Sequence, residues 1–501
     1  MTQSKQRKPI GLDEMKILQS NTDGLQEKIS SSAWKTLAIL SLIATMVMYA
    51  ETMLVPAIPD LIKDFHISYG MSSWILTTYL IAGAIMTPIT GKLSDIYGRK
   101  KVLLIVMGIY ALGVSLGGFV TDIYQMLAIR IIQGIGMSMF PIAFGIIREL
   151  FPRSKLAIGQ GIITSMFAAG AVIGLVAGGH LIQNFGWHAT FFSIIPIVLS
   201  LLVIITRFIH VDDSHLQPNG TSVSKNKIDV QGAITLAISI SAFLMALTMV
   251  ENNDSSSLVA ISGVVAIGIV YMVLFVVIEK RSSAPLVNLK ILANRIILPA
   301  NIMVMIVGLS MFMVFQTIPV LIRSPVPLGF GENPLMTTNV QLPFAIVLLI
   351  FGPTSGFIIS KLGSIKPIIA GSIISAIGFT NLYLNHSTEL LVSVNLAVLS
   401  TGLSLTNVGA MNVIMLSTPK TDVGASLGMS TLIRIVGASV GPAIAAMYMQ
   451  THKVSLPGIS GTFPTSDSYN LIFLTATIIS CISVMLSLVL YKQLKKSKTL
   501  D

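Results

Sequence analysis

Gly91-Lys-Leu-Ser-Asp95-Ile-Tyr-Gly98-Arg99-Lys100-Lys101 separates two apolar runs, 73–91 and 102–120, each long enough to cross a bilayer. A spanning helix needs roughly 20 mostly apolar residues, and the charged stretch between these runs is too short for anything but a turn at the membrane surface. Gly98 can supply the backbone bend that such a turn requires. Outward from this hairpin, comparable runs lie at 35–57, 124–147, 159–182 and 189–207, then at 231–250 and 257–278. Six more follow at 297–320, 338–360, 367–385, 389–413, 424–448 and 469–491. The expected fold is therefore an all-α membrane protein of fourteen transmembrane helices.

Composition agrees. The chain is 53% hydrophobic and 11% charged, too few charges to keep the surface of a soluble protein of 501 residues wet. Its 40 glycines suit close helix approach in lipid, where the hydrophobic effect no longer drives association. The net charge of +11 raises the question of nucleic acid, and the placement of the charges answers it. With both termini inside, 27 of the 32 Lys and Arg fall on the inner side, three (Lys63, Arg323, Lys453) fall outside, and Arg130 and Arg434 lie within helices. That asymmetry is the positive-inside pattern. The basic residues face the cytoplasm and its anionic leaflet, and nucleic acid is not needed to explain them. We expect a multi-pass protein of the cell membrane with cytoplasmic termini.

The spans group into parts. An N-terminal tail, 1–33, polar and mixed in charge, does not read as a signal peptide, and its stretch Asp13–Gln19 is weakly amphipathic. A six-helix bundle at 34–208 is followed by a linker at 209–230 containing Asp212, Asp213, Pro218, Asn219 and Gly220. Two extra helices at 231–280, a linker at 281–296, a second six-helix bundle at 297–492 and a tail at 493–501 complete the chain. The bundles echo each other: Gly91-Lys-Leu-Ser-Asp95 and Gly356-Phe-Ile-Ile-Ser360 each end a second helix. Gly170-x-x-x-Gly174 and Gly437-x-x-x-Gly441 fall in the two fifth helices at nearly the same offset. This points to internal duplication, a common plan for transporters with a binding site near the midplane.

Intramembrane ionisable residues are functional candidates by default. Glu51 is the one acid well inside a helix. It lies about 12 Å below the outer end of its run at about 1.5 Å per residue, and Arg130 in the fourth helix lies at nearly the same depth. An apolar setting favours the proton-bound carboxyl and a neighbouring arginine favours the carboxylate, so the pair reads either as a proton-exchange site or as a static polar tie. Arg434 has no acid at its depth in sequence; it can attract an anionic substrate, bond carbonyls or line a wet cavity. Asn301, Gln316, Gln341, Asn407 and Asn412 are polar at membrane depth and either bond neighbouring helices or face a substrate cavity. Gly170, Gly174 and Gly178 form a smooth face for close packing. Cys481 is the one cysteine, in an apolar run, so neither a disulfide framework nor a cysteine metal site forms within the chain. The membrane segments show no metal-ligand spacing, phosphate loop or clustered nucleophile and base, so no metal or cofactor is expected, and neither is an enzyme.

The turn at Gly91, Asp95, Gly98, Arg99 and Lys100 resembles the signature loop of the major facilitator superfamily. Arg130-Ile-Ile-Gln133-Gly134-Ile-Gly136 resembles the fourth-helix motif of that superfamily's multidrug:proton antiporters. Gly170-Ala-Val-Ile-Gly174-Leu-Val-Ala-Gly178-Gly179 resembles their fifth-helix antiporter motif. The helix count is similar to that of the fourteen-helix drug:proton antiporter branch. There are departures: Leu175 stands where the antiporter motif has proline, Glu51 follows Tyr49-Ala50 one position from the branch's usual acid, and Trp187-His188-Ala-Thr-Phe191 is a reduced form of an aromatic stretch.

The resemblance implies two six-helix bundles rocking about a central site, with the fifth-helix glycines as a pivot controlling leak; Glu51 and Arg130 are the expected proton-coupling pair on the burial and depth argument above. It also implies that Asp95 latches onto the N-terminal end of the thirteenth helix, near Gly424 after Thr421 and Asp422, where a helix dipole favours an anion. The bland alternative for Asp95 is ordinary charge in a turn. The expected function is proton-driven export of small hydrophobic or cationic compounds by a monomer, with a proton gradient as energy source. The alternative from the same fold is transport of a small metabolite, an anion being one option; from another class, a membrane-embedded sensor or enzyme. Asp95→Ala is expected to impair transport in vesicles while membrane insertion stays intact; unimpaired transport would refute the latch.

Overall fold

The computed structural model describes residues 29–152, 156–209, 229–249, 255–282, 285, 289–418, 423–459 and 461–497. The tail around Asp13–Gln19, the linker residues Asp212, Asp213, Pro218, Asn219 and Gly220, and Thr421-Asp422 lie outside the described residues, as does the side chain of Asp95.

Fourteen spans, numbered here α1 to α14, follow the apolar runs. In the first bundle they are Ser31–Asp64 (α1), Tyr69–Tyr97 (α2), Arg99–Gly117 (α3), Ile123–Leu150 (α4), Leu156–Phe185 (α5) and His188–Phe208 (α6). Val230–Thr248 (α7) and Ser255–Arg281 (α8) come between the bundles. The second bundle holds Ile297–Arg323 (α9), Pro334–Leu362 (α10), Ile365–Leu384 (α11), Glu389–Ser417 (α12), Val423–Thr451 (α13) and Ser466–Ser497 (α14). Among the described residues, twelve spans have the length and composition to cross a membrane, and shorter apolar stretches, Ala169–Phe185 and Gln231–Ala246, lie within α5 and α7.

The spans begin where the sequence offers a cap for the free backbone N–H groups of a first turn. The side chains of Ser30, Ser68, Asp122, Asp229, Asn333 and Thr388 each accept from a backbone N–H two or three residues on, at 2.6–3.3 Å. Two spans are interrupted along their length. α1 stops being α-helical after Thr52, turns through a 3-10 segment at Val55–Ala57 and resumes at Ile58. α4 carries a 3-10 segment at Ile135–Ser138. Both breaks lie beside the candidate site.

The Gly91–Lys101 hairpin is not a loop over its whole length. Gly91 to Tyr97 remain in α2, Arg99 to Lys101 already belong to α3, and Gly98 alone stands between them at φ +95°. Only a residue without a Cβ reverses the chain that abruptly.

The duplication appears as repeated packing. In the first bundle α5 lies against α1, and in the second α13 lies against α9. A Cβ on Gly170 would collide with the Thr45 carbonyl, and one on Gly174 with Tyr49; Gly437 stands in the same relation to Met305 and Gly441 to Leu309. The glycines thus let the backbones of paired helices touch, the kind of contact that substitutes for hydrophobic drive in lipid. Thr45 Oγ1 and Thr52 Oγ1 add bonds to the Met166 and Ala171 carbonyls of α5, at 3.0 and 3.3 Å. α1 and α9 are the most enclosed spans, with 83% of their apolar windows buried, whereas α8 has 11% and presents Leu258, Val259, Val270 and Val273 outward as a lipid-facing surface would. α8 packs on α7, and α7 touches α2 and α13, one span from each bundle.

Gly170→Ala and Gly437→Ala are each expected to destabilise the detergent-solubilised protein by about 1–3 kcal/mol through overpacking. Gly108→Ala, whose new Cβ would meet nothing within 4 Å, is expected to be neutral or to gain up to about 1 kcal/mol. Thermal unfolding checks this, and equal melting temperatures for all three would contradict the packing.

Candidate functional site

At the seam of the two bundles lies a narrow cavity of about 10 Å³, room for about one water. The first bundle contributes Met48 and Glu51 from α1 and Met137 from the broken segment of α4; the second contributes Met311 and Phe312 from α9 and Arg434 from α13. Glu51 is 1% exposed, and neither carboxyl oxygen has a hydrogen-bond partner. It sits one residue before the end of the first helical part of α1, so the break beside it fixes its depth. Arg130 and Arg434 both lie within electrostatic range of it.

Arg130 is fully buried and firmly anchored. Its Nε donates to the Ile75 carbonyl at 2.8 Å, its Nη1 donates to Gln133 Oε1 at 3.1 Å, and the guanidinium lies 4.7 Å from the Tyr79 ring centroid, a cation–π distance. Tyr79 in turn donates to the Val47 carbonyl of α1, and Gln133 Nε2 to the Gly113 carbonyl of α3. Gly134 has no room for a Cβ against the Tyr79 carbonyl of α2, nor Gly136 against the Tyr110 ring of α3. The members of the fourth-helix motif therefore divide the work. Arg130 and Gln133 carry polar ties, and the two glycines bring α2 and α3 close enough for those ties to form. One guanidinium nitrogen, Nη2, has no partner.

Arg434 was expected to lack an acid. The structure corrects this, because α13 crosses the seam and brings it to the same cavity as Glu51, from the opposite bundle. The other polar candidates do not converge there. Gln316 Nε2 donates to Ser72 Oγ of α2 at 2.9 Å, Asn412 Nδ2 to Ser364 Oγ at 2.7 Å, and Asn301 Nδ2 to the Ile297 carbonyl of its own helix at 3.1 Å. Gln341 is buried with both amide atoms unpartnered, and Asn407 Oδ1 is also unpartnered; neither lines the cavity. Gly170, Gly174 and Gly178 face α1 of their own bundle rather than the seam. It is Gly179 that meets the other bundle, at Thr338 of α10.

At the basic end of the bundle, Arg99 Nη1 is 3.2 Å from Glu149 Oε1 at the end of α4, Gly145 leaves space for that guanidinium, and Lys100 Nζ donates to the Thr206 carbonyl of α6 at 2.9 Å. Gly91 lies against Pro141 of α4. These contacts fasten the signature turn within its own bundle.

The far end carries ties that sequence reading did not find. Arg323, at the end of α9, grips Asp60 of α1 with two N–H groups, Nη1 to Oδ2 and Nη2 to Oδ1, the latter at 2.6 Å. Tyr69 N–H donates to Gln450 Oε1 at 3.1 Å, Thr77 Oγ1 to the Ser439 carbonyl at 3.1 Å, and Thr338 Oγ1 to the Leu175 carbonyl at 3.0 Å. With the Gln316–Ser72 bond, these draw the bundles together on the side away from the signature turn. One signal was available: Arg323 is among very few basic residues on that side, and Asp60 shares the side with it.

Two pseudo-equivalent helical bundles holding charged groups between them are the architecture of a polytopic transporter. The chain belongs to the Major Facilitator Superfamily, whose sequence signature matches residues 40–442. It is similar to Multidrug resistance protein 3 of Bacillus subtilis (strain 168), 29% identical over 310 residues, a match covering 60% of this chain and 59% of that protein's length. Multidrug transporter protein MdtP of the same strain is 25% identical over 427 residues, 84% of this chain and 76% of that one. Multidrug efflux pump LfrA of Mycolicibacterium smegmatis is 27% identical over 419 residues, 82% and 80% respectively. The crystal structure of the human organic anion transporter MFSD10 (TETRAN) shares the fold, with a TM-score of 0.58 at 12% identity, covering 91% of this chain and 99% of that one.

In a double-mutant cycle, Asp60→Asn and Arg323→Gln are expected to show a coupling of about 0.5–3 kcal/mol, read as non-additive shifts in thermal unfolding of the solubilised protein. Additive losses would show that the pair does not tie the bundles.

Proposed function

We propose that this protein exports small, largely hydrophobic compounds in exchange for protons, by alternating access of the cavity between its bundles. One observation carries the reading: Glu51 is a buried carboxyl with no hydrogen-bond partner, at the seam, beside two arginines. A static tie would use its oxygens in bonds, whereas a group that takes up and releases a proton must keep them free. Arg130, held by Ile75, Gln133 and Tyr79, is a fixed charge beside Glu51 that does not itself move. The soft Met48, Met137 and Met311 walls suit apolar bodies of varied shape, and several relatives carry multidrug names. The proposal places both termini in the cytoplasm, in line with the distribution of basic residues, and takes the monomer in the plasma membrane as the working unit. In that orientation the ties at Asp60–Arg323 and Tyr69–Gln450 close the outer side. Asp95 serves as the gate latch on the other.

A second reading, uptake of an anionic metabolite, draws on the two arginines near the cavity, but it leaves the free carboxyl of Glu51 unused.

In inside-out vesicles, Glu51→Gln is expected to abolish the stimulation of substrate uptake by an imposed pH gradient while counterflow exchange persists. Gradient stimulation at the wild-type level in that variant would end the proton-carrier assignment.

A further inference from the structure

Export of hydrophobic compounds leaves open which charges a cargo carries, and the cavity narrows that choice. Glu51 reaches it from α1 and Arg434 from α13, so the acid and the base come from opposite bundles. The other nearby charge, Arg130, is committed to the Ile75 carbonyl, Gln133 and the Tyr79 ring. Glu51 is buried with both oxygens free. Arg434 is partly exposed. Glu51 lies within its electrostatic range. The position in the second bundle that corresponds to Glu51 through the Tyr49–Gly174 and Leu309–Gly441 contacts is Met311, which is apolar. The duplication thus does not repeat the acid, and the site is polarised across the seam.

A cargo with a single charge fits such a site poorly. A cation meets Glu51 but sets its charge against Arg434, and an anion meets Arg434 but sets its charge against Glu51 and leaves both buried carboxyl oxygens without a donor, which is costly. A cargo carrying both charges adds no net charge to the site and gives both Glu51 and Arg434 a partner, while Met48, Met137, Met311 and Phe312 contact its apolar body.

We propose that the cavity recognises zwitterionic amphiphiles, the cationic group on Glu51 and the acidic group on Arg434, with Arg434 as the residue that selects for the acid. This rests on the export reading above. In the present conformation the cavity holds about one water, so such a cargo is admitted as the bundles part at the end opposite the Asp60–Arg323 tie.

The test uses the full chain in proteoliposomes, with counterflow of four probes corrected for protein-free vesicles. Three share one body: 2-naphthylalanine carries both charges, 2-naphthylethylamine the cation and 3-(2-naphthyl)propionate the anion. Tetraphenylphosphonium is a lipophilic cation without an acid. Naphthylalanine is expected to exchange about tenfold faster than either single-charge analogue, a preference worth about 1.4 kcal/mol. Arg434→Gln is expected to collapse that ratio toward unity, and Arg434→Lys to restore part of it. Exchange of tetraphenylphosphonium with no preference for naphthylalanine in the wild type would overturn the zwitterion assignment and leave export standing. An unchanged ratio in Arg434→Gln would remove Arg434 from recognition. Failure of all four probes to move would overturn the export reading and this one with it.

Discussion

Hydrocarbon offers no hydrogen bonds, so every polar group carried into a bilayer must find its partner within the protein or open onto a cavity. At Arg130 the protein meets part of that demand, through bonds to Ile75 and Gln133 and contact with Tyr79, and leaves Nη2 without a partner. Glu51 takes the other route: its carboxyl oxygens have no partner, and the side chain lines the cavity at the seam. The surrounding structure can be understood from that contrast. The break in α1 after Thr52, the 3-10 segment in α4 and the close α2–α4 approach at Gly134 all serve to hold one anchored cation and one free acid near each other at the meeting of two bundles.

The two ends of the molecule divide the remaining work. Near the signature turn, Arg99 and Lys100 tie α3 to α4 and α6, and so stiffen one bundle as a body. At the far end, Asp60, Ser72, Tyr69 and Leu175 of the first bundle meet Arg323, Gln316, Gln450 and Thr338 of the second. Individual bonds of this sort contribute about 0.5–1.5 kcal/mol each.

Close helix packing inside each bundle has a different physical origin. The Gly170/Gly174 and Gly437/Gly441 pairs let backbone meet backbone, which gives each bundle close contacts that a side chain would prevent.

Much of this was legible along the chain. Apolar run lengths marked the long helices, twelve of which have the length and composition of a span among the described residues, since the bilayer fixes how many residues a span requires, and the Gly-x-x-x-Gly pairs exposed the duplication because close packing leaves a spacing that sequence records. Glu51 and Arg130 stood out as ions where ions are costly. Tertiary structure alone decided the rest. Arg434 looked partnerless because its acid lies nearly four hundred residues earlier, across a seam that no local pattern describes. Arg323 read only as one of three basic residues on the outer side, and its tie to Asp60 appears once the bundles stand side by side. Asn301, Gln316 and Asn412 could not be assigned from depth, since depth gives how far a residue sits in the membrane but not which way around its helix it points or which neighbour it meets. Run length and spacing are local constraints that water and lipid impose on any helix, whereas a contact between two bundles depends on how the whole chain closes upon itself.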